Sequence, residues 1–549
     1  MLEGTVPWPE DLAQRYRLCG WWQDITLFEL LTRTAARLPD KTALICGAQR
    51  TSYAQLVVAA EALAGRLLEA GLRPLDRVVL QLPNIPEFVL SYFALQRIGC
   101  IPVMALRAHR HSEVRHFLRA SGAAAYIIPD VLGGFDYRSM AEELRGDCPA
   151  LRQVLVVGMP LAGQLPLLQP VHNAAEAGPR LEDIRPDPGE VATMLLSGGT
   201  TALSKLIPRT HNDYVLNARL CGAAAGFGED TVFMAILPLG HNYNLASPGM
   251  LGTYYYGGTV VLAPSGDAQE VFALVEAERV SVIAAVVPLI SNWLNSDSPE
   301  QFDLSSLRVV QNGGARLVPE LRARLRQKLG GGVVPQEIYG TAEGLINMTR
   351  LDDAEDVLLN SSGQPVCADD DIKVVDEEGS ELPDGVAGEL LTRGPYTIRG
   401  YYDAVDINRS AFTEDGYYRM GDVVRKEGRN IYTEGRKKDL INRGGEKISC
   451  EEVENLIVAH PKVKAVTLVA MPDEKFGEKA CAFVITKAGK TLGFEELVAF
   501  LKAQRIASFK LPERLEVVDE FPLSPVGKIL KRQLREQIAA RLAEERGRP

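Results

Sequence analysis

No run of about 18 consecutive apolar residues occurs in this sequence, so no membrane-spanning helix is expected. Cysteine is sparse and scattered. None of the eight residues forms a CxxC pair, so neither a zinc knuckle nor a disulfide framework is indicated. Unpaired cysteines of this kind suit a reducing cytoplasm, where the protein is expected to reside. The seven histidines include no HExxH. The opening residues, MLEGTVPWPEDLAQRY, carry no basic segment followed by an apolar run, and no secretory signal is expected. Positive charge is in the minority. A net charge of −11 argues against a general nucleic-acid binder, which needs a basic face to displace counterions. There are no internal repeats and no long low-complexity linker. Also missing is the GxxxxGK-Ser/Thr spacing of a P-loop: the stretch LLSGGTTALSKLIPRT (195–210) has the glycines, hydroxyls and lysine, but Leu206 stands where that motif needs a hydroxyl.

What is present is ordinary globular composition, 46% apolar and 24% charged, over 549 residues. A chain this long is expected to divide into roughly three or four structural units. Short apolar runs alternate with amphipathic stretches. RVVLQLP (77–83), AAAYIIP (123–129), VLVVG (154–158), VFMAILPLG (232–240), GTVVLAP (258–264) and VSVIAAVVP (280–288) read as buried strands, while PEFVLSYFALQRIG and AQEVFALVEAER have helical spacing. This predicts an α/β fold: a large N-terminal domain of mixed or parallel sheets flanked by helices. From about residue 350 the texture changes. DIKVVDEEGSELPDGVAGELLTRG has strand–turn–strand signals and predicts a small β subdomain. The charged, glycine-bearing EGRKKDLINRGGEKIS (434–449) reads as a hinge. The expected division is 1–436 for the large domain and 437–549 for a mobile α+β C-terminal domain.

Several separated stretches carry candidate chemistry. Ser197 to Lys205 offers glycine N–H groups, hydroxyls and one amine, a set suited to phosphate oxygens. QNGGARL (311–317) and EIYGTAEG (337–344) each follow an apolar run, which places them at strand carboxyl ends, where open α/β sheets bind ligands. Gly313 and Gly314 let a flat ring lie against bare backbone. Glu343 is a hard oxygen ligand suited to Mg²⁺ on phosphates, although by itself it reads as a solvated loop carboxylate. Asp422 in YYRMGDVV can accept from two hydroxyls at once, or be a turn aspartate. Lys528 in PLSPVGKILKRQL sits on a Pro/Gly-bearing loop before a basic helix.

Together these stretches resemble the acyl-adenylate-forming superfamily of acyl-CoA synthetases, peptide-synthetase adenylation domains and luciferases, over nearly the whole chain. Within it the sequence is most similar to the stand-alone aryl-acid–AMP ligases of siderophore biosynthesis. The resemblance implies ATP and Mg²⁺. Ser197, Gly198, Gly199, Thr200, Thr201 and Lys205 would grip the β- and γ-phosphates, although Ala202 and Ser204 replace a common glycine and proline. Gly313, Gly314, Tyr339 and Gly340 would form the adenine site, with Tyr339 stacking on the base. Glu343 would hold the metal, and Asp422 and Arg436 the ribose. Lys528 would bridge the acyl carboxylate and the α-phosphate, and Lys438 would be the hinge. Ala342 stands where many members carry threonine; the aryl-acid ligases commonly have alanine.

LPLGHNYNLASPG (237–249) bears on the acid. By resemblance, His241 lies at the pocket's mouth, Asn242 bonds the ortho-hydroxyl and carboxylate side of the ring, and Ser247 takes the position that is serine in 2,3-dihydroxybenzoate enzymes and often cysteine in salicylate enzymes. A serine hydroxyl both donates and accepts, which a thiol does poorly. Tyr243 and Ile346 would wall the ring, or belong to the ordinary core. The expected reaction is activation of an aryl acid, 2,3-dihydroxybenzoate before others, to aryl-AMP with pyrophosphate release. The small domain would then swing, bringing Gly444 and Gly445 to line a tunnel for a phosphopantetheine thiol. No DxFFxxGGxS-like motif occurs in the chain, so a separate aryl carrier protein is the expected partner. The alternatives are salicylate or another aromatic acid, coenzyme A as acceptor, a phosphate-releasing NTPase, which the missing P-loop spacing opposes, and a non-catalytic binding protein.

Overall fold

The structure, a computed structural model, describes residues 1–549 apart from 170–179, 198–203, 437–439, 444–445, 474, 505, 525–527 and 547–549; at 436, 446–447 and 546 it describes backbone alone. The apolar runs form strands. A nine-stranded sheet has a parallel body in the order Thr42–Cys46, Thr259–Leu262, Val232–Ala235, Val282–Ala285, Val309–Gly313 and Val334–Thr341. Antiparallel strands finish both edges: Gln49–Ser52 on one side, Gly344–Met348 and Gln364–Pro365 on the other. A seven-stranded sheet runs Leu206–Thr210, Val191–Leu196, Ile101–Met104, Arg77–Leu80, Ala125–Pro129, Gln153–Val157 and Leu165–Pro166, parallel except at Leu206–Thr210. Strands buried on both faces read as continuous apolar runs, which is why the sequence marks them so clearly.

Side chains from both sheets share one apolar core with helices Tyr53–Glu69, Pro86–Arg97, His211–Ala224 and Gly249–Tyr256. His211–Ala224 is unusual in burying polar side chains along much of its length, among them His211, Asn212, Asp213 and Asn217. Each of these has a specific partner, as buried polar groups require. Thr210 and Asp213 form a capping box. His211 Nδ1 accepts from the Leu27 N–H, Asn212 bonds Asp24, and Asn217 bonds the carbonyl of Ala246. Burial lowers the His211 pKa to about 3, so the imidazole stays neutral and able to accept.

Asp371–Val375, Gly388–Arg393, Tyr418–Glu427 and Asn430–Arg436 make a four-stranded antiparallel sheet, the expected β subdomain. The C-terminal part has a five-stranded sheet and helices Cys450–Val458, Phe494–Ala503 and Lys531–Arg546 around apolar clusters of its own. Among the described residues no helix is long and apolar enough to cross a membrane.

A buried ion pair ties the strand Leu206–Thr210 to the helix that follows it. Arg209 and Asp213 are both fully buried, with Nε donating to Oδ1 at 2.7 Å. The rest of the guanidinium donates to the carbonyls of Ala342 and Tyr396. Removing one partner of a buried pair strands the other charge and costs about 3–5 kcal/mol. Arg209→Met should therefore lower the urea-unfolding midpoint by that equivalent, and Arg209→Met/Asp213→Asn should recover part of the loss. A single variant as stable as the parent would contradict this role.

Candidate active site

The glycine- and hydroxyl-rich loop is pinned at its ends. The Ser197 N–H donates to the Lys205 carbonyl at 3.0 Å, and the Lys205 N–H to Ser197 Oγ at 2.9 Å. Gly198, Gly199, Thr200 and Thr201 lie outside the described residues. Lys205 Nζ stands 4.5 Å from the centre of the Tyr401 ring, a cation–π arrangement. The Tyr401 hydroxyl donates to Glu343 Oε1 at 2.8 Å. Burial, reinforced by the Glu343 carboxylate, pushes the Tyr401 phenol far up, so it stays protonated and acts as a donor. A lysine, an aromatic ring and a buried carboxylate thus form one chain between the loop and the Ala342–Glu343 turn. The backbone of Glu343 is held as well, since its carbonyl accepts from the Ile398 N–H at 2.8 Å.

QNGGARL and EIYGTAEG do stand at the carboxyl ends of neighbouring parallel strands, Val309–Gly313 and Val334–Thr341. The second runs into a tight antiparallel hairpin with Gly340 opposite Ile346. A Cβ on Gly340 would lie 2.2 Å from the Leu345 carbonyl oxygen, so only glycine closes this hairpin. Tyr339 Oη donates to Asp422 Oδ2 at 2.7 Å, which brings the two nucleotide-site candidates into contact. Strand pairing sets Asp422 directly across from Arg436, whose side chain is outside the description.

The ring lying on bare backbone at Gly313 is protein: a Cβ there would be 2.8 Å from Tyr243 Cε1. Beside it, a Cβ on Gly314 would be 3.3 Å from Lys528 Cε. Lys528 comes from a C-terminal loop closed by a bridge between Leu523 and Ile529 and by bonds between Ser524 and Lys528. The same lysine acts on His241. Burial first, and the Lys528 charge second, lower the His241 pKa to about 4. His241 is therefore neutral, its Nδ1 accepts from the Tyr243 N–H, and the ring proton resides on Nε2. His241 caps the short helix Asn242–Ala246. At the two ends of that helix, Asn242 Nδ2 donates to Ser247 Oγ at 3.3 Å, and both residues are buried. Asn242 Oδ1 accepts from the Tyr214 hydroxyl at 2.8 Å. Ile346 is buried in the hairpin strand, its N–H donating to the Tyr396 hydroxyl.

Lys438, Gly444 and Gly445 lie outside the described residues. The sequence reading missed Tyr401, Arg209, Tyr214 and Asn217. Tyr401, in RGYYDA, carries an aromatic pair that periodicity alone assigns to packing. The others sit inside a strand or helix, where no local pattern marks a polar contact across the core.

Two family comparisons match this chain: AMP-binding enzyme over residues 31–402, and AMP-binding enzyme C-terminal domain over 452–528. The chain is 44% identical over 544 residues to the 2,3-dihydroxybenzoate-AMP ligase of Bacillus subtilis, covering 99% of both proteins. It is 46% identical to a salicylyl-CoA synthase / salicylate adenylyltransferase of a Streptomyces species, covering 98% of each. The apo structure of MbtA from Mycobacterium smegmatis is similar at a TM-score of 0.74 and 39% identity, covering 97% of this chain and 99% of that one. By these matches over nearly its whole length, the chain belongs to the AMP-binding, acyl-adenylate-forming enzymes, and within them to the aryl-acid–AMP ligases.

Proposed function

We propose that this enzyme joins a hydroxylated benzoate, 2,3-dihydroxybenzoate first, to AMP, and passes the acyl group to the phosphopantetheine thiol of a separate aryl carrier protein in siderophore biosynthesis. The observation that carries this reading is the meeting of Lys528 with Gly314 and His241, beside the buried Asn242–Ser247 pair. In this reading Lys528 is the cation beside the acid's carboxylate, and Asn242 and Ser247 face its ring.

In this reading the loop from Ser197 to Lys205 holds the β- and γ-phosphates. Tyr339 lies against adenine, and Asp422, with Arg436, takes the ribose hydroxyls. The acid lies beside Tyr243 and Ile346, with its 2-hydroxyl and carboxylate side toward Asn242 and its 3-hydroxyl toward Ser247. Its carboxylate oxygen attacks the α-phosphorus in line as pyrophosphate leaves. Lys528 offsets charge that grows on the α-phosphate and carboxylate. Positioning and fixed charge supply most of the acceleration. His241, neutral and protonated at Nε2, adds no second cation at the pocket mouth. Glu343 fits Mg²⁺: its Oε1 is fixed by Tyr401, and no cluster of three or more acidic, His or Cys side chains occurs among the described residues, so phosphates would complete the shell. Bound there, Mg²⁺ would neutralise phosphate charge.

The second step needs Lys528 to withdraw. We place the hinge at Lys438, with 437–549 as the moving unit and Gly444 and Gly445 approaching the site to line the thiol's path. All eight cysteines are unpaired, in keeping with a cytoplasmic enzyme.

Acid-dependent exchange of labelled pyrophosphate into ATP should be strongest with 2,3-dihydroxybenzoate over a panel of benzoates. Strongest exchange with salicylate would move the substrate to that acid, and none with any aromatic acid would refute the reading. Lys528→Ala should lower exchange by about 10²–10³-fold, as loss of a preorganised stabilising group does. It should leave thioester formation from supplied aryl-AMP within a few-fold of the parent. Equal loss of both half-reactions would contradict a lysine confined to the first. Ser247→Cys should cut the preference for 2,3-dihydroxybenzoate over salicylate about tenfold, the worth of one buried hydrogen bond.

A further inference from the structure

Ser247 is surrounded by donors. Its Oγ accepts from Asn242 Nδ2 at 3.3 Å and from Asn217 Nδ2 at 3.2 Å. A hydroxyl has two accepting positions and one proton, so these two amides occupy its acceptor capacity. The orientation of the Asn217 amide follows from its other contact. Asn217 Nδ2 also donates to the Ala246 carbonyl at 2.6 Å, which only the nitrogen end can face. Asn242 Oδ1 accepts from the Tyr214 hydroxyl, and its Nδ2 faces Ser247. A further polar neighbour of Ser247 is the Cys221 sulfur, a weak acceptor one turn along the same helix as Asn217.

Asn217 is fully buried on the helix His211–Ala224, behind the residues that the motif marks. Its Oδ1 has no hydrogen-bond partner among the described residues. An aliphatic side chain of similar size would fill this position without an unpaired oxygen. The amide nitrogen is the part of Asn217 that is used, and both of its contacts lie at the Ala246–Ser247 corner.

We propose that Asn217 is a specificity-positioning residue: with Asn242 it occupies the lone pairs of Ser247 and leaves that hydroxyl as a donor, aimed at an oxygen on the 3-position of the aryl acid. This rests on the function proposed above and deepens it. The pocket then reads the 3-substituent as a hydrogen-bond acceptor. A phenolic oxygen accepts better than the Cys221 sulfur and takes the proton from it on binding. Asn217 touches no substrate in this scheme and acts only through Ser247.

The test is steady-state pyrophosphate exchange with 2,3-dihydroxybenzoate and salicylate, comparing the parent, N217L, N217D, S247A and N217L/S247A. The parent should favour 2,3-dihydroxybenzoate. In N217L and N217D that preference should fall about tenfold, through a higher KM for the dihydroxy acid, while kcat and the KM for salicylate and ATP change less than threefold. N217D is the decisive control, because it keeps the shape but replaces an NH2 that donates to both Ala246 and Ser247 by a group with at most one proton to give. In the S247A background N217L should change the preference no further. Parallel loss with both acids, an N217D that matches the parent, or a further loss in the double variant would each overturn the proposal, as would a parent with no preference for the dihydroxy acid. A parent that exchanges with neither acid would instead refute the function on which the proposal stands.

Discussion

The buried Arg209–Asp213 pair is the constraint on which the site depends. Arg209 leaves the strand that follows the phosphate loop, and its guanidinium reaches the carbonyls of Ala342 and Tyr396. Ala342 adjoins Glu343, and Tyr396 begins the segment that supplies Tyr401. One side chain therefore ties the strand after the loop to the Glu343 carboxylate and to the phenol bonded to it. Arginine suits the task because its planar fork satisfies several acceptors while remaining charged. Asp213 offsets that charge and also takes part in the cap of the helix that begins at His211.

That helix connects the frame to substrate recognition. Tyr214 orients Asn242, and Asn217 orients Ser247. A buried polar network of this kind is costly if any member is left unmatched, and that cost is what makes it selective. The short helix between His241 and Ser247 is thus held from behind by regular secondary structure. The C-terminal part contributes Lys528 on a loop that has its own closing bonds. Arg316 and Glu451 form an ion pair between the two parts at 3.7 Å.

Much of this was legible in the sequence. Buried parallel strands announce themselves as apolar runs, and RVVLQLP, AAAYIIP, VLVVG, VFMAILPLG, GTVVLAP and VSVIAAVVP are all strands. The antiparallel edges were less visible, because Gly344–Met348 differs from a parallel strand only in the turn before it. The motif residues that remain within the described residues do converge: Tyr339 on Asp422, Lys528 on Gly314 and His241, Asn242 on Ser247. Gly313 was read as backbone for a flat ligand ring, and the ring packed on it is Tyr243. Arg209 and Asn217 could not be read, since their partners are 133 and 30 positions away in the chain. Local pattern encodes the period of an element, not what a polar side chain meets across the core.

In the proposed reaction an acid's own carboxylate oxygen becomes bonded to the α-phosphorus of ATP. The enzyme should be given carboxyl-¹⁸O-labelled 2,3-dihydroxybenzoate and ATP, with hydroxylamine to cleave the product at its carbonyl, and the nucleotide analysed by mass spectrometry. The account predicts AMP carrying one ¹⁸O from the acid. Unlabelled AMP, or ADP with inorganic phosphate, would contradict it.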